Sequence, residues 1–277
     1  MSGRLYIIAT PIGNLGDLTQ RAREALGKSE LILAEDTRVT LRLLNHLGLK
    51  KRLLSCHEFN EASRLDLLEE LANRDASVAV VSDAGSPLVS DPGFQLVRRA
   101  IALGMQTIPV PGPSAFLLAL VGSGLPCDRF AFEGFLPDRA GERKRKLEKA
   151  QNDERTLVFY VSPHDLEKVL DDLINVLGDR SACLARELTK LYEEFLRGPL
   201  SELKQRVSTG SVRGECVLVV AGAPTQAPVR ADDQTVLKEL ISRLDSGSGL
   251  KEASAAVAEQ FGWRKSEVYK LGLKHIG

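Results

Sequence analysis

Three short segments carry the residues best suited to holding a small molecule. Thr10-Pro-Ile-Gly-Asn-Leu-Gly-Asp-Leu-Thr19, Ser82-Asp-Ala-Gly-Ser-Pro-Leu-Val-Ser-Asp-Pro-Gly93 and Pro109-Val-Pro-Gly-Pro-Ser-Ala115 are rich in glycine, proline and small side chains. Small residues let backbone amides approach a ligand closely, and the carboxyl edge of a parallel sheet is where such loops bind one. All three segments point to one cleft. Asp83 follows the apolar run 78–82 and stands at a strand tip, with Gly85 and Ser86 beside it. Its carboxylate is expected to accept a hydrogen bond from an amine or hydroxyl of a cofactor; capping the next turn is its alternative use. Ser114, at the start of an apolar helix, has the same alternative as an N-terminal cap.

The elements that position these loops are legible as short apolar runs alternating with helical patterns. Runs at 5–9, 31–34, 53–56, 78–81 and 106–110 read as strands, and 18–27, 38–47, 60–74, 92–103 and 113–122 as helices. That rhythm predicts an α/β fold with a mainly parallel sheet covered on both faces. After Gly122 a second series of strands follows at 130–135, 157–161, 182–185 and 216–221, so the body is read as two lobes, 1–122 and 123–222, with the cleft between them. Residues 223–232 hold two prolines and no apolar period, as a linker would. In the tail, 233–277, Val236, Leu237, Leu240, Ile241 and Leu244 share one helical face, and Leu250, Ala253, Val257 and Phe261 another that stops at Gly262. A third helix at about 265–274 completes a helix-turn-helix-like domain.

Composition narrows the class. The 277 residues are 43% hydrophobic and 27% charged with zero formal net charge, an ordinary globular balance in which a polyanion partner must be sought in local patches. No apolar run approaches the roughly 20 residues that span a bilayer, and Met1-Ser2-Gly3-Arg4 leads into a strand instead of a signal peptide; a cytoplasmic protein with no membrane association is expected. Cys56, Cys127, Cys183 and Cys216 are scattered, without metal-ligand spacing, and are expected to be buried small hydrophobes; no metal site is expected. Gly13 and Gly16, with Glu35 and Asp36 about 20 residues on, match part of a dinucleotide fingerprint. The first glycine of that fingerprint is missing, and Pro11 and Ile12 occupy its turn, which argues against a nicotinamide cofactor.

Seven ordered motifs carry a more specific resemblance. They are Ala9-Thr-Pro-Ile-Gly-Asn-Leu-Gly-Asp17, Ala34-Glu-Asp-Thr-Arg38, His57-Glu-Phe-Asn-Glu61, Ser82-Asp-Ala-Gly-Ser-Pro87, Pro111-Gly-Pro-Ser114, Glu133-Gly-Phe-Leu-Pro137 and Ala185-Arg-Glu-Leu-Thr189. Over residues 4–222 the chain resembles the tetrapyrrole-methylase superfamily, and most closely its small-subunit ribosomal RNA methyltransferase I family. The resemblance implies a two-lobed body binding S-adenosyl-L-methionine, methylation of the ribose 2′-hydroxyl of a decoding-centre cytidine in 16S rRNA or the small ribosomal subunit, and a homodimer. It implies cofactor contacts at Ile12, Asp83, Ser86, Ser114 and Ala115 in the first lobe, and at Val161 and Leu188 in the second; Gly85, between Asp83 and Ser86, is a further cofactor-binding candidate. Where tetrapyrrole enzymes usually have a glycine-rich first loop and a Gly-Asp pair in the second, this chain has Pro11-Ile12 and Ser82-Asp83, which weakens a porphyrin-type substrate.

A ribose hydroxyl is a poor nucleophile near neutral pH and needs a base or groups that stabilise alkoxide character. Asp36, Arg38, His57, Glu58 and Glu187, all at predicted strand ends, are the candidates, with salt bridging or phosphate positioning as the alternative for each. The segment 138–149 holds six basic and three acidic residues beside the cleft. Arg139, Arg143, Lys144, Arg145 and Lys146 are expected to meet RNA phosphates there, a solvated helix face being the alternative. Lys265, Lys270 and Lys274 make the last helix basic, as in an RNA-docking module. Two rival readings remain at the level of sequence: a methyltransferase for a small tetrapyrrole precursor, and a non-catalytic nucleic-acid-binding regulator that senses a ligand in the cleft.

Overall fold

A computed structural model describes residues 3–57, 60–209, 214–224 and 231–276. The chain divides into two compact units, 1–223 and 224–277.

The first sheet of the larger unit is wholly parallel. Its strands β1 (Arg4–Ile8), β2 (Leu31–Ala34), β3 (Arg52–Ser55), β4 (Ser77–Val81) and β5 (Gln106–Val110) lie in the order β3-β2-β4-β1-β5. Helices α1 (Gln20–Lys28), α2 (Thr37–Leu47), α3 (Leu65–Asn73) and α4 (Phe94–Ala102) connect them. The two faces bury separate clusters: Leu5, Leu33, Val78 and Val80 pack with α3 and α4, and Ile8, Ile32, Ala79 and Val81 with α1 and α2. Thr19 caps α1 by accepting from the Ala22 amide, and Asp36 caps α2 by accepting from that of Arg38.

The second sheet is mixed. Strands β6 (Phe130–Phe135), β7 (Thr156–Val161), β8 (Ser181–Arg186), β9 (Glu194–Pro199) and β10 (Cys216–Val220) run in the order β6-β7-β10-β8-β9. Only β6 and β7 are parallel, with a register shift between Phe132 and Gly134. Strand β9 has no counterpart among the expected strands, because Glu194-Phe-Leu-Arg-Gly-Pro199 carries too little apolar alternation to stand out. Helices α6 (Ala140–Ala150), α7 (Leu166–Leu177) and α8 (Leu200–Thr209) cover one face, burying Leu147, Leu170, Leu173 and Leu203 against Phe159, Leu184 and Leu218.

The other face is covered by α5 (Ala115–Ser123), which reads in sequence as the last helix of the first lobe. Its Ala119 and Leu120 instead pack on Val158, Cys183, Ala185, Val217 and Val219 of the second sheet. The helix has no polar side to mark which sheet it belongs to, so only the tertiary fold assigns it. Cys56, Cys183 and Cys216 are buried, but Cys127 is exposed, because it lies in the surface turn between α5 and β6.

In the smaller unit, α9 (Asp233–Asp245), α10 (Leu250–Phe261) and α11 (Lys265–Ile276) enclose Val236, Leu240, Ala253, Val257 and Val268. Asp232 caps α9, and the Trp263 indole donates to the Ala231 carbonyl at 2.9 Å, so Ala231 and Asp232 are held to the helices. Ala223 is held to the larger unit by its amide, which donates to the Asp153 carbonyl at 2.6 Å. Of the expected linker 223–232, residues 225–230 lie outside the described residues.

Candidate active site

The carboxyl ends of β1, β4 and β5 meet β7 and β10 around a cleft of about 370 Å³. The loop after β4 forms one wall and is pinned to the loop after β1. The Thr10 amide donates to the Gly85 carbonyl at 2.8 Å, and the Gly85 amide returns a bond to Thr10 at 3.0 Å. The Thr10 hydroxyl also donates to the Ser82 carbonyl at 3.1 Å. Gly85 adopts φ 81°, open to a residue without Cβ, and the same loop holds Leu88 at φ 71° and Ser90 at φ 68°. Left-handed backbone at non-glycine residues is uncommon and collects at functional loops.

Of the expected cofactor residues, Ile12, Gly85, Ser86, Ser114, Ala115 and Val161 line this cleft together. The Ser114 hydroxyl makes no capping bond to α5, so its alternative use as a cap is not observed. Asp83 stands elsewhere. Its Oδ1 accepts from the Asp36 amide at 2.9 Å, and it lines a separate pocket of about 220 Å³ with Thr10, Thr40 and Arg42. Burial, chiefly, raises its pKa. Leu188 is buried behind Ile12 and opens onto a third depression, with Thr189, Asp17 and Gly112.

Of the five catalytic candidates, Asp36, Arg38, His57 and Glu187 do not line the cleft. Asp36 is bound by the Arg38 guanidinium in a fork, at 2.6 Å and 3.0 Å, which holds its pKa at about 2. Glu187 takes a 2.9 Å ion pair from Lys190, which lowers its pKa. His57 lies beyond the edge strand β3, with its ring Nε2 2.9 Å from the Asn60 amide group. Glu58 lies outside the described residues. The acids that do line the cleft are Asp91 and Glu215, neither of which stands out in the sequence. Asp91 belongs to one of the three small-residue loops but carries no signal beyond that membership.

Aromatic side chains of the second sheet form another wall. Tyr160 and Phe135 line the cleft with ring centroids 5.3 Å apart, and Phe132 meets Tyr160 edge-on at 5.0 Å. Burial pushes the Tyr160 phenol up, with the charges of Asp91 and Glu215 adding to it.

The family model described as Tetrapyrrole (Corrin/Porphyrin) Methylases matches residues 4–204. The protein named ribosomal RNA small subunit methyltransferase I of Pseudomonas aeruginosa is 45% identical, covering 100% of this chain and 99% of its own. Its namesakes in Haemophilus influenzae and Escherichia coli O157:H7 are 42% and 43% identical, covering 100% and 99% of this chain and 98% and 96% of their own. The chain belongs to the ribosomal RNA small subunit methyltransferase I family, within the tetrapyrrole methylases. The fold agrees with that of a solved uroporphyrin-III-C-methyltransferase from Thermus thermophilus, with a TM-score of 0.56 and 21% identity over 79% of this chain and 94% of that one.

The basic residues expected to meet RNA in this member of the rRNA methyltransferase I family do not share one environment. Arg143 is buried. Its guanidinium pairs with Asp172 at 2.5 Å and donates to the Pro137 and Asp138 carbonyls at 3.0 and 2.8 Å. It is therefore not open to a phosphate, a correction that follows from α6 presenting one face to the core: Arg143 and Leu147, four apart, both point inward. Lys146 leans on Glu133, donating to its carbonyl at 2.5 Å and standing 3.5 Å from its carboxylate. Arg139, Lys144 and Arg145 are exposed, as are Lys265, Lys270 and Lys274 of α11.

Proposed function

We propose that this enzyme methylates the ribose 2′-hydroxyl of a decoding-centre cytidine in 16S rRNA, with S-adenosylmethionine as methyl donor. The observation that carries this reading is identity of 42–45% along essentially the whole chain, tail included, with proteins named for small-subunit rRNA methylation. The cleft suits the donor on its own terms. Its walls are mainly apolar, with a tyrosine and a phenylalanine for a purine face; Gly85 and Ala115 add little bulk, and Ser114 offers a hydroxyl that makes no capping bond. Ile12, Gly85, Ser86, Ser114, Ala115 and Val161 would hold the donor, with Leu188 backing the adenosine side. Bound there, it supplies a sulfonium methyl for in-line displacement. What the chain contributes is alignment of donor and acceptor in a mainly apolar cleft, which removes much of the barrier.

For the substrate, the exposed Arg139, Lys144 and Arg145 on α6 and Lys265, Lys270 and Lys274 on α11 are proposed phosphate contacts. We assign a homodimer to the outer face of α5, where Leu117 and Val121, one turn apart, are 46% and 62% exposed. Among the described residues no helix is long and apolar enough to cross a membrane. The cytoplasm, where ribosomal subunits are, is the proposed compartment.

The test supplies labelled S-adenosylmethionine with assembled small subunits, naked 16S RNA or a porphyrin precursor. Label in RNA at a single cytidine whose 3′ linkage resists alkaline cleavage is the expected result. Label in the porphyrin alone would overturn the reading.

A further inference from the structure

We propose that Asp91 is a catalytic residue of this cleft, the carboxylate that takes up the proton of the methyl-accepting hydroxyl. The inference rests on the hydroxyl-methylation reading and adds to it the group that reading lacks. Of the two acids lining the cleft, Glu215 is exposed and stands 3.4 Å from the Lys190 ammonium. Asp91 is half-buried, and no lysine or arginine among the described residues pairs with it.

Its position follows from the strained loop. Leu88 and Ser90, both left-handed, and Gly93 at φ 121° turn the chain sharply around Asp91, and the Ser90 side chain reaches to within touching distance of Gly134 on β6. Gly134 sits at the register shift in that strand, so the loop spans from the first sheet to the bulged edge of the second. A carboxylate held at that crossing faces the volume shared by both lobes, which is where donor and acceptor must meet.

The surroundings tune it for proton uptake. Burial is the main cause that lifts its pKa to about 6; the charges of Glu35, at the end of β2, and Asp83, after β4, add to the rise, while the Ser82 side chain opposes it. From the second lobe Tyr160 on β7 lines the same cleft, and the Asp91 charge adds to the rise in the phenol's pKa. A base is most effective when its pKa lies just below the working pH, where it is ionised and still avid for a proton. By contrast Asp36, held at about 2 by Arg38, is a weak base.

The step balances. The hydroxyl O–H bond breaks and its proton goes to a carboxylate oxygen of Asp91. The freed electron pair forms the O–CH3 bond while the S–CH3 bond breaks, its pair staying on sulfur to leave a neutral thioether. Asp91 then returns the proton to water.

The experiment compares wild type, Asp91→Asn and Asp91→Glu. Asp91→Asn is expected to lower kcat by about 10²–10⁴-fold while the Kd for S-adenosylmethionine, read by calorimetry, changes by less than about threefold. Asp91→Glu is expected to recover part of the loss. In wild type, kcat/KM should fall on the acid side of a midpoint near 6, and that limb should be missing from the residual activity of Asp91→Asn. Independently of turnover, the infrared difference between pH 5 and 7 for the unliganded protein should show one protonated carboxyl that Asp91→Asn lacks. Loss of donor binding in Asp91→Asn, kcat within about threefold of wild type, or an unchanged acid limb would each overturn the role. A wild type that methylates no hydroxyl sinks the functional reading and this role with it; an active wild type beside an equally active Asp91→Asn sinks only the role.

Discussion

At the scale of single residues, the carboxylates of this enzyme divide by what surrounds them. Asp36 is held by Arg38 and Glu187 by Lys190, so both are low-pKa structural acids. Asp91 is the reverse, a carboxylate whose burial favours the protonated form. Its folded pKa of about 6 lies above its unfolded value near 3.8, so its contribution to stability is most favourable below about pH 4 and is lost as pH rises through 6. Asp91→Asn is accordingly expected to be more stable than wild type at pH 8, by about 1 to 3 kcal/mol, and equal to it at pH 4. Denaturant titration at the two pH values checks this. Equal gains at both would mean that the asparagine improves packing instead of removing a strained charge. A residue that costs stability where the enzyme works is one that function retains.

At the scale of elements, α6 shows how one helix divides its charges. Arg143 faces inward as a fastening between α6 and α7 through Asp172, whereas Arg139, Lys144 and Arg145 face solvent. Arg143→Ala is expected to destabilise the larger unit by about 2 to 4 kcal/mol, because Asp172 and two carbonyls lose a buried donor. Replacing Arg139, Lys144 and Arg145 by glutamine should leave the melting curve and donor affinity alone. It should lower RNA affinity and flatten its dependence on salt by about one unit of log-log slope for each phosphate no longer neutralised. Filter binding across a salt series reads the slope. A slope unchanged from wild type would return α6 to the status of a solvated face.

At the scale of the whole molecule, the larger unit holds every residue that lines the cleft, and its last anchored residue is Ala223. A chain ending at Ala223 is therefore expected to fold and to bind S-adenosylmethionine as the full protein does. Its methylation of small subunits should fall mainly through a higher KM for the subunit, since the tail would supply positioning interactions remote from the reacting atoms. Aggregation of the shortened chain would show that the helices complete the fold of the body. Full methylation at limiting substrate would remove α11 from RNA binding.

Local chemistry makes much of this protein readable from its residues. Strand runs buried on both faces and the small-residue loops at strand ends are specified within a few positions, and Ile12, Gly85, Ser86, Ser114 and Ala115, which share the cleft, all lie in those loops. The seven motifs tie the loops to one family because their order and types recur together along the chain. Three things are decided only in the folded state. Helix α5, apolar all round, has no polar face to say which sheet it will cover. Arg143 and Lys144 are both cationic and adjacent in sequence, and only the packing of α6 on α7 buries the one and exposes the other. Asp91 reads as a turn residue among turn residues; it becomes distinct when sheets far apart in sequence close over it, since the desolvation that raises its pKa belongs to no single segment of the chain.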